Sequence, residues 1–263
     1  GDARDTHLIR ILKHFKQDVL VASVQYRLAP QAPFPAPVED ATHASVWLYH
    51  NVHIFGGDPD RFCVGGVDAG GTLAAVVHQE ASKLGIKVKA TIVFAPYLRF
   101  GATTRSYMEY SRIGTLPYDL AVWNWRCYCS TSDAGDPRCC PIEVRGKMDP
   151  REISPIFIVT NRYDPLRDEG REYAQRLSAE GIEVTHTELF GTHHHALICD
   201  LPGVRRIVRQ FEERMFANDS DASQQDVQRT KKGGKVNRCS PSTEPQQVEV
   251  IGTEKETTSP TAK

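Results

Sequence analysis

The 263-residue chain predicts an α/β fold, a doubly wound and mostly parallel sheet with helices on both faces. Two observations point there. From Asp5 to about Met215, apolar runs of strand length alternate with amphipathic stretches of helix length. The length suits one domain with a full core, and a hydrophobic fraction of 40% is ordinary for a globular protein.

The elements follow in order. Residues 6–15 place Leu8, Ile9, Leu12 and Phe15 at helical spacing, and 19–26 (VLVASVQY) predict a buried strand. A proline-rich turn leads into a helix over 34–50, then a short strand at 62–65, a helix over 70–84 and a strand at 88–94. Over 97–148 the rhythm is lost, apart from a helix at 119–128 that carries Trp123 and Trp125; this reads as a lid inserted over the sheet. Regularity returns with strand 156–160, helix 166–180, strand 184–189 and helix 204–215. The domain is therefore expected to span 1–216. Residues 217–263, rich in Ser, Thr, Gln, Lys, Glu and Asp, predict a disordered tail.

Composition narrows the function classes. Lys plus Arg (32) nearly balances Asp plus Glu (33), and Lys231, Lys232 and Lys235 are too few for a nucleic-acid site. No apolar run approaches the roughly 20 residues of a membrane span, and the opening GDARDTHLIR lacks the layout of a secretory signal. The expectation is a soluble, cytoplasmic protein. Of seven cysteines, Cys127, Cys129, Cys139 and Cys140 cluster, but C-x-C followed by C-C does not match paired zinc knuckles, so buried or loop thiols are expected. Neither a metal nor another cofactor is expected.

The chemistry gathers at three strand ends. After the strand at 62–65 comes GVDAGG, leading straight into a helix; a strand, a glycine-flanked turn and a helix make a nucleophile elbow with Asp68 at its centre. Gly66 and Gly70 are expected to leave room for the turn. Asp164 follows the next-but-one strand in NRYDPLRDEG, and FGTHHHA follows the last strand. Nucleophile position, acid and histidine thus keep the chain order of α/β-hydrolases. Three adjacent histidines in a loop point in different directions, which argues against a metal site. His14, His43 and His78 fall on predicted helices and need no functional reading.

The strings VQYRLAP (24–30), PFPAPVEDA (33–41), GGDPDR (56–61) and YDPLRDEG (163–170), with the spacing to the histidine loop, closely resemble the hormone-sensitive-lipase-like family, also called α/β-hydrolase fold-3. The resemblance implies an α/β-hydrolase fold and hydrolysis of small carboxylic esters under a lid. It implies Asp164 as acid, His194 as base and the Ala69 amide as an oxyanion donor; Asp168 reads as a structural ion-pair residue, and His193 and His195 as loop residues. Two departures stand out. The family writes G-D-S-A-G-G where this chain has Val67 and Asp68, and its H-G-G-G oxyanion loop is expected just upstream of the residues matched by Gly1, so the sequence reads as N-terminally truncated.

Asp68 has no hydroxyl proton for His194 to take, so ordinary serine chemistry is not expected. Three readings remain: a degenerate esterase; an aspartate-nucleophile hydrolase of epoxides or alkyl halides, with Tyr107, Tyr110 or Tyr118 as lid proton donor; and a non-catalytic pseudoenzyme. In the last, Asp68 would accept hydrogen bonds at the helix N-terminus and pair with protonated His194. Each implies a small lipophilic ester-like or epoxide ligand. All three predict a His194 pKa raised by two flanking carboxylates.

Overall fold

A computed structural model of the chain describes residues 13–101, 103–112, 116–144, 148–194, 202–217 and 248–252. Most of the helix expected at 6–15 lies outside these residues; Lys13 and His14 form a turn. The elements are β1 (Leu20–Val24), α1 (Ala36–Asn51), β2 (Val64–Val67), α2 (Ala69–Glu80), β3 (Thr91–Phe94), α3 (Arg105–Tyr110), α4 (Tyr118–Tyr128), β4 (Ile156–Tyr163), α5 (Arg167–Ala179), β5 (Val184–His193), α6 (Pro202–Phe216) and β6 (Val248–Gly252).

Strands β2, β3, β4 and β5 form a parallel sheet in that order, with Val64 opposite Thr91, Thr91 opposite Ile156 and Ile156 opposite Val184. Successive side chains of a strand point to opposite faces, and the core follows that alternation. Val93, Ile156 and Ile158 face Ala74 and Ala75 of α2 and Tyr173, Ala174 and Leu177 of α5. Their neighbours Ile92, Phe94, Phe157 and Val159 face Val204, Ile207, Val208 and Phe211 of α6 on the other side. Both faces are thus covered, which explains why these strands read as continuous apolar runs. On the outside of α2, α1 contributes Val38 to a cluster with Leu73 and Val76.

The expected lid, 97–148, contributes α3, α4 and irregular chain. Tyr97, Tyr107, Leu116, Ala121, Trp125, Cys129, Cys139 and Cys140 pack with Leu166 into a separate cluster at the carboxyl ends of the strands. The thiols Cys129, Cys139 and Cys140 are buried there, as expected of cysteines that pack rather than ligate.

Two expectations change. Strand β1 is not hydrogen-bonded into the four-stranded sheet; it pairs antiparallel with β6, Leu20 opposite Gly252 and Val24 opposite Val248. Part of the expected tail is therefore a strand. Its sequence VEVIG concentrates β-branched residues, and the free edge of β1 offers the backbone partners such a run can take. The rest of 218–263 lies outside the described residues.

Candidate active site

Strand β2 ends at Val67 and α2 begins at Ala69, so Asp68 alone makes the reversal. Its backbone stands at φ 56° and ψ −122°, a conformation an L-residue keeps only when its surroundings impose it. They do so by hydrogen bonding: the Asp68 N–H donates to the Phe94 carbonyl at 2.9 Å, and the Asp68 carbonyl accepts from the Thr72 N–H at 3.2 Å. Thr72 is itself fixed, its hydroxyl donating to the Tyr97 carbonyl at 2.6 Å.

Close packing decides which glycines the elbow needs. A Cβ on Gly66 would lie 2.0 Å from the Gly70 carbonyl oxygen, so this position admits no side chain. Gly70, expected to share that role, does not: a Cβ there would meet nothing within 4 Å. The second constraint falls on Gly71, whose Cβ would come within 3.2 Å of Pro96 and 3.3 Å of the Gly66 and Phe94 carbonyl oxygens. Of the two helix glycines, it is Gly71 whose missing side chain lets the helix lie against the strand end.

The elbow presents Asp68 to His194. Asp164 follows the end of β4 and His194 the end of β5, so all three groups stand at the carboxyl edge of one sheet. His194 Nε2 lies 2.9 Å from Asp68 Oδ1 and Nδ1 lies 3.0 Å from Asp164 Oδ2. Ionised carboxylates only accept hydrogen bonds, so satisfying both requires both ring nitrogens to donate, which is the imidazolium. Burial opposes that charge, yet the hydrogen bonds and charges of Asp164 and Asp68 outweigh it and push the His194 pKa up to about 10. The expected upward shift is thus present.

Asp164 is fully buried and well held, its Oδ1 accepting from the Leu166 N–H at 2.9 Å and its Oδ2 from Asn161 Nδ2 at 3.2 Å. The same Asn161 amide donates to the His194 carbonyl at 3.2 Å, fixing the histidine loop to the acid. Asp68 differs: its side chain is 41% exposed, and it does not cap α2. The expected role as acceptor at the helix N-terminus is therefore corrected: the carboxylate makes no cap hydrogen bond and is bonded to the imidazole instead. Ala69, as the first residue of α2, has no carbonyl one turn earlier to occupy its N–H.

Beside Asp68 and Ala69 opens a cavity of about 260 Å³, walled by Tyr26, Tyr97, Trp123, Trp125 and Tyr128 among others. The tyrosines expected as lid donors are elsewhere. Tyr107 is fully buried in the cap cluster, Tyr110 stacks edge-on against Tyr163 and binds Arg167, and Tyr118 is exposed at the start of α4. The cavity wall instead carries Tyr26, Tyr97 and Tyr128, and of these the Tyr97 hydroxyl accepts from Asn124 Nδ2 at 3.0 Å. Burial first, and then the nearby Asp68 charge, raise its pKa well above the ordinary range, so it stays protonated.

Other assignments from the sequence fall into place. Asp168 is the structural ion-pair residue it reads as, 2.8 Å from the Arg167 guanidinium and accepting from the Ser106 N–H. His78 is buried on α2 against the Ser154 carbonyl. The side chain of His193 and all of His195 lie outside the described residues. Glu169 went unnoticed in the sequence: fully buried, it accepts from the Leu98 and Arg99 N–H groups at 2.7 and 2.9 Å, holding the chain that leaves β3 and carries Tyr97. Burial pushes its carboxyl up to about 7.

Residues 5–198 match a family described as alpha/beta hydrolase fold, the hormone-sensitive-lipase-like fold-3 branch. The chain belongs to this family. Over 167 residues it is 34% identical to carboxylesterase NlhH of Mycobacterium tuberculosis, which covers 63% of this chain and 52% of that protein. It is 39% identical over 175 residues to the carboxylic ester hydrolase LipN of the same organism, covering 64% and 46%. Among solved structures, the Pyrobaculum calidifontis esterase superposes with a TM-score of 0.66 at 35% identity, over 73% of this chain and 63% of that one. The chain spans about half the length of the curated relatives it matches. Among the described residues, no helix is long and apolar enough to cross a membrane.

Two outcomes are expected. Gly66→Ala should lower stability by roughly 3 kcal/mol or more in urea unfolding, because backbone must move to admit its Cβ, while Gly70→Ala should leave it unchanged or slightly raised. Equal effects at the two glycines would refute this packing of the elbow. The second outcome concerns pH. Because the His194 pKa is raised in the folded chain, its stabilisation is complete below about 6.5 and lost as pH rises through about 10. The melting-temperature gap between the parent and His194→Gln should therefore narrow steadily across that window.

Proposed function

We propose that this chain binds a small, lipophilic, ester-like molecule in the pocket where its relatives hydrolyse esters, and that it does not turn esters over by serine chemistry. One observation carries the reading: His194 Nε2, the atom that would take a serine proton, is held at 2.9 Å by the Asp68 carboxylate. That partner has no proton to give, and it keeps the imidazole in its charged form, which is no base. The rest of the apparatus supports binding. The cavity wall combines aromatic and aliphatic side chains with a few polar groups, the usual makeup of a small-molecule site.

Turnover of p-nitrophenyl acetate by the parent should lie within about twofold of Asp68→Ala and His194→Gln, since loss of a triad nucleophile ordinarily removes several orders of magnitude. A short methyl ketone, an ester mimic that cannot be hydrolysed, should raise the melting temperature saturably. Rapid acid release from the ester, abolished in Asp68→Ala, would overturn this reading.

A second reading is favoured by the direction of the elbow, which aims a half-exposed carboxylate into a cavity that also holds the Tyr97 phenol. Asp68 would attack an epoxide carbon, the carbon–oxygen bond would break, and Tyr97 would protonate the departing alkoxide. The resulting alkyl ester is neutral, so His194 would lose one of its two anionic partners; its extra proton would return to the Tyr97 phenolate, leaving a neutral imidazole able to take a proton from water. Water would then attack the ester carbonyl carbon, and the diol would leave with an original side-chain oxygen. One turnover in heavy-oxygen water should accordingly place the label in the Asp68 carboxyl, read by mass spectrometry of the peptide spanning residues 65–83, and His194→Gln should trap the adduct. Absence of both label and adduct over a panel of epoxides and alkyl halides eliminates this chemistry.

A further inference from the structure

We propose that the pocket selects a small organic cation, a lipophilic molecule bearing an ammonium group, with Asp68 as its counter-ion and the rings of Tyr26, Tyr97 and Trp123 as its walls. This deepens the binding reading above and rests on it. Asp68, Asp164 and His194 together carry one negative charge when the imidazole is protonated and two when it is not, so the cluster is anionic in either state. Within it, Asp164 is fully buried and hydrogen-bonded on both oxygens, whereas the Asp68 side chain is 41% exposed and lines the cavity. The net charge is therefore displayed to a ligand through Asp68. Among the described residues, hydrogen bonds to its carboxylate involve only Oδ1, which leaves Oδ2 for a donor from outside.

The other charged group on the cavity wall does not reverse this. The Arg27 guanidinium and backbone N–H both bind the Asp40 carboxylate, at 2.8 to 3.1 Å, and Glu39 stands 3.4 Å from the same guanidinium. That trio also sums to one negative charge. Among the described residues, neither charged group of the cavity wall thus offers an unpaired positive charge to an anionic ligand.

The wall also carries five aromatic side chains, Tyr26, Tyr97, Trp123, Trp125 and Tyr128. Ring faces carry negative potential and attract an ammonium group that has shed part of its water, an effect strongest for indole. Trp123 is 56% exposed at the cavity, an unusual position for the largest apolar side chain unless its face is used. Tyr97 packs edge-on against Trp125 at 5.8 Å, which fixes the orientation of its ring, and its hydroxyl proton is free for an acceptor on the ligand because Asn124 supplies the other hydrogen bond. With a serine at the elbow and a neutral imidazole, the one negative charge would rest on the buried Asp164; with aspartate it is displayed at the cavity, on Asp68. The aspartate turns it into an anionic, aromatic cage.

The test compares acetylcholine with its uncharged carbon isostere, 3,3-dimethylbutyl acetate, by isothermal titration and thermal stabilisation of the full chain. The cation should bind at least about tenfold more tightly than the isostere, and its affinity should fall between 50 and 500 mM salt while that of the isostere does not, on the order expected for a partly exposed charge pair. Asp68→Asn should reduce the preference to within about twofold; asparagine tolerates positive φ, and circular dichroism checks that the variant is folded. Trp123→Ala should weaken the cation more than the isostere. Equal affinity of the two probes for the parent, with both bound, would overturn the cation proposal and leave the ester-pocket reading standing. Failure of both probes to bind would overturn both. The salt series on the parent needs no variant, so the proposal stays exposed to refutation even if Asp68→Asn does not fold.

Discussion

His194 lies between two carboxylates, and the balance of that contact organises the site around it. A buried imidazole resists protonation, and one acidic partner commonly offsets the resistance without abolishing the proton's mobility. A second carboxylate at 2.9 Å changes the outcome, because the charge is now favoured from both ring nitrogens. The proton that a hydrolase must move back and forth becomes fixed. Chemistry at this site is therefore conditional on removing the charge of Asp68, whether by covalent capture or by a ligand that competes for it.

That contact depends in turn on backbone geometry far more than on side-chain choice. Asp68 reaches His194 because its own φ and ψ are held in a sparsely populated region, and they are held because Gly66 has no side chain to obstruct the Gly70 carbonyl. The elbow persists although the residue it serves in the family is absent. Its strain is local, and its supports are the Phe94 carbonyl of β3 and the Thr72 N–H of α2, Thr72 being anchored through its hydroxyl on the Tyr97 carbonyl at the exit of β3. Glu169 completes this frame from α5 by taking the two amides that follow Tyr97. A carboxylate with no catalytic part thus stabilises the loop on which both the elbow and the cavity wall rely.

Much of this was legible in the residues, for identifiable reasons. Parallel strands buried on both faces leave unbroken apolar runs, so β3 and β4 are evident in the sequence, and the turns after β2 and β4 carry Asp68 and Asp164. Strand lengths were less evident: β4 runs to Tyr163 and β5 to His193, past the apolar stretch, because Asn161 and Thr160 are buried by partners that come from elsewhere in the chain. The partnership of VQYRLAP with PFPAPVEDA shows the same limit. Each string is recognisable alone, but only the fold brings the Arg27 guanidinium onto Asp40. Tyr97 escaped notice because nothing distinguishes it from a core tyrosine until α4 sets Asn124 against its hydroxyl and the cavity opens beside it. The pairing of β1 with β6 was hidden because sheet contacts between distant segments leave no local periodicity.

Replacement of one uncharged residue by an acid usually destroys a site, since the new charge needs a partner that the old pocket cannot provide. Here the partner was already present. A histidine whose task is to become cationic during a reaction is also the group best able to neutralise an added carboxylate at rest, so an esterase elbow tolerates aspartate where few other catalytic positions would. The tolerance has a directional consequence. Pairing with His194 satisfies one oxygen of Asp68 and leaves the cluster with its excess negative charge on the cavity side, facing rings whose own potential is of the same sign. Such a surface is poorly complemented by the neutral substrates and oxyanionic transition states of ester hydrolysis, and it is complemented by a cation. The residue that denies His194 a serine proton is thus the same one that places a negative charge at the cavity wall.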